Sequence, residues 1–184
     1  MQAGLGVGDL VSSSGGQWSG LLFDNPRLGL RPFLSWSFTF AFADASRDYG
    51  SSPVSVDLEW VPLDAVSWCD LASQEVRGRG FAEPVEASVY FFEHHRYDTV
   101  ELRILEQRGT LLHVAVRLSG DLDGLGVDVL DADAWLTFTG ITVSLSEARS
   151  APVASTRLQE FCGIGGLVCS AGVTDGRFLF KPEG

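Results

Sequence analysis

The sequence predicts a mostly β protein, a β-sandwich with one or two short helices, built as a single domain over residues 1–184. Two runs of alternating residues and the close spacing of the later strands carry that prediction. Leu34, Trp36, Phe38, Phe40 and Phe42 alternate with Ser35, Ser37, Thr39 and Ala41. A period of two puts every large side chain on one face of a strand, whereas a helix would scatter them. Val54, Val56, Leu58 and Trp60 repeat the pattern against Ser55, Asp57 and Glu59. Pro62 ends that second strand, because proline cannot donate to a central ladder.

Residues 1–33 read as an irregular Gly/Ser-rich arm, with Ser12-Ser13-Ser14-Gly15-Gly16 at its centre and a short strand at Leu21-Leu22-Phe23. Residues 34–184 form the sandwich body. After Pro62, residues 64–72 read as a helical turn or two anchored by Val66, Trp68 and Leu71. Strands follow at 87–93, 99–107, 111–119 and 135–145, and Arg108-Gly109 closes the middle pair into a hairpin. Gly140 marks a bulge or bend. Beyond Pro152, Ala154, Leu158, Phe161 and Cys162 fit one stripe of a short helix, with Gly163 as its C′ residue. The tail from Val173 to Lys181 reads as a hairpin turning at Asp175-Gly176. Strands at such short intervals, separated by turn signals, indicate a sandwich or barrel.

Composition bounds the function. A chain of 184 residues buries roughly 70% of the surface it exposes unfolded, and 45% hydrophobic residues, with 12 phenylalanines and 5 tryptophans, supply the core. The net charge of −11 repels phosphate backbones, so nucleic acid is not the expected partner; a basic protein or a cation is. Cys69, Cys162 and Cys169 are odd in number, unlike a secreted disulfide framework. They read as reduced thiols in the cytoplasm, although Cys162 and Cys169 are close enough in sequence to pair if oxidised. The first residues lack a basic n-region and a sustained apolar run, so no signal peptide is expected. No stretch of about 18 apolar residues occurs, so no membrane span is expected either.

Two clusters stand out chemically. Glu93, His94, His95 and Asp98 carry metal-ligand side chains, but neighbours in a strand point to opposite faces, so the cluster reads as a polar loop. Asp121, Asp123, Asp128, Asp131 and Asp133 open like a calcium loop. Leu125 stands where the third alternating acid belongs, and Ala132 where the closing Glu belongs. The five aspartates therefore read as an acidic face on a loop between strands, the candidate binding residues. No metal or cofactor is expected. Gly163-Ile164-Gly165-Gly166 follows a helix, whereas a dinucleotide fingerprint follows a strand, and no Gly-x-Ser-x-Gly elbow exists. No enzyme is expected.

Val56-Asp57-Leu58-Glu59-Trp60-Val61-Pro62-Leu63, Ser67-Trp68-Cys69-Asp70-Leu71-Ala72 and Ala87-Ser88-Val89-Tyr90 lie within residues 54–143. That half of the chain resembles small uncharacterised bacterial β-rich proteins of the immunity-protein type. The resemblance implies a binding module that neutralises a more basic partner. The alternatives are a small-ligand or calcium-binding β module, or an enzyme of unknown chemistry.

Overall fold

The computed structural model describes residues 4–79, 85–170 and 176–183. Eleven strands among them belong to one continuous sheet. They are β1 (Gln17–Asn25), β2 (Leu30–Arg47), β3 (Gly50–Val61), β4 (Glu75–Arg79), β5 (Glu86–Phe91), β6 (Glu93–Arg96), β7 (Thr99–Arg108), β8 (Leu111–Ser119), β9 (Val129–Ser144), β10 (Leu167–Cys169) and β11 (Phe178–Pro182). One helix, α1 (Ala151–Gln159), precedes β10. The mostly β expectation with a short helix holds. The strands share one ladder, where the sequence led us to expect two packed sheets.

The strand order is β4-β7-β8-β9-β1-β2-β3-β5-β6, with β11 also pairing along β9. β6 ends the order on one side and β7 lies next to the other end, yet only Tyr97 and Asp98 separate them in sequence. The Tyr97 N–H donates to Ala87 of β5 and the Asp98 N–H to Ser119 of β8, both at 2.9 Å. Two residues thus tie the ends of the order together, and the sheet folds back around its own apolar face. Buried at that face are Trp18, Trp36, Phe38, Phe40, Leu58 and Leu112, each at most 1% exposed. The Tyr97 hydroxyl, deep at the join, donates to the Val127 carbonyl (3.0 Å), and burial pushes its phenol well above the ordinary value.

The segment expected as an irregular arm enters the sheet at Gln17. β1 is a central strand, antiparallel to β2 and parallel to β9. Trp18 and Leu22 face the core, while Gly20 between them hides the alternation in the sequence. A Cβ there would meet Trp36 and Ile141 at 3.1 Å, so close packing requires the glycine.

Trp60 departs from its expected core face. The register between β2 and β3 shifts between Trp36 and Phe38, and Trp60 sits in this bulge at φ 59°. A bulge re-aims the bulged side chain, and a left-handed conformation costs a bulky residue about 1–2 kcal/mol. The indole swings out to meet Phe23 and Phe33, with ring centroids 6.2 and 6.0 Å away.

Residues 64–72 form turns rather than a helix. Trp68 holds them, stacked on Phe138 at 4.8 Å and donating from its indole to the Gly165 carbonyl (2.8 Å). Val66, expected as an anchor, is 84% exposed. α1 buries Ala154 and Leu158 as its stripe requires, but its C-cap is Glu160. Gly163 is not the C′ residue; its N–H donates to the Val66 carbonyl instead (2.8 Å). Gly140 does occupy a bulge, at φ 124°. In the tail, β10 and β11 pair antiparallel, while Val173 and Asp175 lie outside the described residues. No helix among the described residues is long and apolar enough to cross a membrane.

The three thiols are free. Cys69 is exposed, Cys169 intermediate and Cys162 buried. Burial pushes Cys162 up to about 11, and the nearby Cys69 adds to the shift. In the native protein at pH 8, a disulfide reagent will label Cys69 within seconds, whereas Cys162 will react only on unfolding. Equal labelling rates at the two positions would show that Cys162 is not enclosed as described.

Candidate functional site

The two sequence clusters each split, and parts of both meet in one cleft. In β6, period two sends Glu93 and His95 to one face and His94 to the other. His94 packs its ring against Tyr90 (5.0 Å), with Nδ1 3.3 Å from the Ser88 hydroxyl. His95 Nε2 lies 4.0 Å from a Glu93 carboxylate oxygen. Asp98 belongs to the two-residue step into β7, and its N–H donates to the Ser119 carbonyl. The sequence assigned this region to a polar loop because both faces of a short edge strand are polar.

The five aspartates do not share one loop. Asp121, Asp123 and Asp128 belong to the connection between β8 and β9, while Asp131 and Asp133 are in β9 itself. Asp133 is 2.6 Å from Nε2 of His113 and Asp131 3.6 Å from the Arg117 guanidinium. These cross-strand pairs partly neutralise the two carboxylates in place. Within the connection, Asp121 accepts the Asp123 N–H and Asp128 the Leu122 N–H (3.2 and 3.1 Å). Both shape the loop. Only Asp123 is left with its carboxylate uncommitted, on an exposed residue at φ 52°.

Asp123 faces the turn between β5 and β6. There the chain reverses around Phe92, at φ 59°, whose N–H donates to the Ser52 hydroxyl (2.8 Å). Phe92 is 39% exposed and its ring lies 5.1 Å from that of Tyr49, itself 53% exposed. Tyr49, Phe92, Glu93, His95 and Asp123 line a cleft of about 390 Å³ with Leu122 and Leu125 beneath. Gly4 closes it on one side. The Arg47 guanidinium holds that segment, donating to the Gly4 carbonyl (2.8 Å) and to Asp9 (2.6 Å) while stacking 5.1 Å above Phe91. Arg47 also keeps the Asp9 carboxyl below its usual range.

Two bulky or charged residues in left-handed conformations, on separate elements, border this one cleft. Such strain persists only where surrounding structure imposes it, and it concentrates at sites of binding. The lining offers three aromatic rings, Tyr49, Phe91 and Phe92, two carboxylates and an imidazole. It holds no Ser or Thr hydroxyl, no thiol and no amine. Among the described residues no group of three or more His, Cys, Asp or Glu is arranged to hold a metal ion.

Tyr49 and Phe92 escaped the sequence reading. The signals were the turn Asp48-Tyr49-Gly50 and the doublet Phe91-Phe92, which breaks period two. Comparison with known proteins found no matching family model, no matching curated protein and no matching solved structure.

Proposed function

We propose that this chain is a protein-binding module of immunity type that docks a more basic partner and seats one of the partner's cationic side chains in the Tyr49–Asp123 cleft. One observation carries the reading: exposed aromatic rings and two carboxylates, Asp123 uncommitted and Glu93 beside His95, converge on the same concavity. A guanidinium or ammonium group is attracted by ring faces and by carboxylates together, and more strongly once water is displaced. The net charge of −11 steers such a partner inward. The free thiols support a reducing, cytoplasmic setting.

The test uses an arginine-glycine repeat peptide and a glutamate-glycine control, followed by calorimetry and stopped-flow. The basic peptide will bind, with an on-rate that falls as salt rises, because screening limits surface charge to about 8 Å at physiological ionic strength. Glu93→Gln with Asp123→Asn will weaken binding about tenfold, or about 1.4 kcal/mol. Each substitution will shift stability by less than about 0.5 kcal/mol, as expected at an exposed position. Equal affinity for both peptides, or no loss in the double variant, would remove the cleft from the binding face.

A further inference from the structure

Several arginines of this acidic chain are matched by a carboxylate. Arg47 pairs with Asp9, Arg77 with Glu75, Arg96 with Glu86, Arg108 with Glu106 and Arg157 with Glu147. Arg27 and Arg149 are different. Neither has a hydrogen-bond, ion-pair or ring partner among the described residues, and both line one groove of about 730 Å³. Arg177, exposed and likewise unpartnered, stands between Gly176 and Phe178, which also line it. The one carboxylate among the described residues of the lining, Asp24, accepts the N–H and the hydroxyl of Ser146, both at 2.8 Å. It is committed to Ser146, not to a guanidinium.

The same groove is continuous with an aromatic platform. Phe23 lines it and meets Phe33 edge-on at 6.3 Å and Trp60 at 6.2 Å. These are the rings that the β3 bulge gathers on the outward side of the sheet. All three are partly exposed, and the Trp60 indole N–H donates to nothing among the described residues. Unpaired guanidiniums beside partly exposed rings suit a ligand with an anionic end and a flat end.

We propose that this groove binds a nucleoside monophosphate, with its phosphate held by Arg27 and Arg149 and its base stacked on the Phe23–Phe33–Trp60 platform. Guanidinium forks match phosphate oxygens two at a time, and aromatic faces stack any base. The groove volume is that of a small-molecule site. A net charge of −11 opposes a long polyanion while tolerating a single phosphate group. The groove also lies at the opposite end of β2 from the acidic cleft, since Asn25 and Arg27 precede Leu30 and Tyr49 follows Arg47. An anion there is kept away from Glu93 and Asp123.

Calorimetry decides it, with the four nucleoside monophosphates, adenosine, inorganic phosphate and a ten-base single strand as probes. At least one monophosphate will bind at least tenfold more tightly than adenosine or phosphate alone. Arg27→Gln with Arg149→Gln will weaken it at least tenfold, and Trp60→Asn, which keeps a side chain tolerant of the left-handed conformation, will weaken it without altering the melting temperature by more than a few degrees. Three results would overturn the proposal. Phosphate binding as tightly as the monophosphates would make this a simple anion site. Preference for the ten-base strand would make it a nucleic-acid surface. Concentration-dependent growth in mass, abolished by the double Arg variant, would mean that a second copy of this acidic chain occupies the groove.

Discussion

Alanine at Phe38 will lower the free energy of unfolding by about 3–5 kcal/mol, the cost of lost apolar transfer plus the cavity left behind. Phe38 is 1% exposed in the middle of β2, with Trp18 of β1 and Leu58 of β3 as its cross-strand neighbours. Trp18 is in turn packed on Trp36 and Phe138, at 5.7 and 4.3 Å. Large rings surround the site, and they cannot collapse into the vacated volume without leaving their own contacts. Urea unfolding will show the loss as a lower midpoint with an unchanged slope. A midpoint equal to that of the wild type would mean that Phe38 is not at the centre of this core.

The second large effect is expected at Gly140. At φ 124° an L side chain is strained whatever the space, by about 1–3 kcal/mol. Space is lacking too. A Cβ there would lie 2.6 Å from the Phe180 carbonyl oxygen and 2.9 Å from a Leu179 methyl carbon. Gly140 is where β9 carries β1 on one side and β11 on the other, so relief requires moving one of two strands. Gly140→Ala will cost about 2–6 kcal/mol, the sum of that strain and ordinary overpacking. Hydrogen exchange will show β11 opening ahead of the rest. Uniform destabilisation with β11 as protected as its neighbours would place the clash elsewhere.

Legibility followed periodicity. Trp36, Phe38 and Phe40 on β2 and Val54, Val56 and Leu58 on β3 alternate without interruption, and the structure buries all six. Where one residue broke the rhythm, the reading failed. Gly20 masked β1, since the position most tightly packed against Trp36 has no side chain to count. The bulge turned Trp60 out of the face that its spacing assigned. Trp68 and Leu71 were rightly taken as anchors, but their contacts are to Phe138 and Gln107, which helical spacing cannot encode. The cleft was half visible. Glu93, His95 and Asp123 belonged to the two clusters singled out, yet nothing in the chain order shows that residues 49, 92, 93, 95 and 123 meet. Sheet curvature brings them together, and that curvature is fixed by the two-residue step from β6 to β7.

The parallel pairing of β1 with β9 also has a consequence for the ribosome. Residues 17–23 of β1 pair with residues 137–144 of β9, so one side of β1 must wait for a partner roughly 120 residues further along the chain. At about 5–20 residues per second, that partner emerges roughly 6–24 seconds later. During the interval β1 can pair with β2 on its other side but presents an open apolar edge bearing Trp18 and Leu22. Folding of this chain is therefore expected to finish late, after β9 has been made, and to depend on that edge being shielded in the meantime.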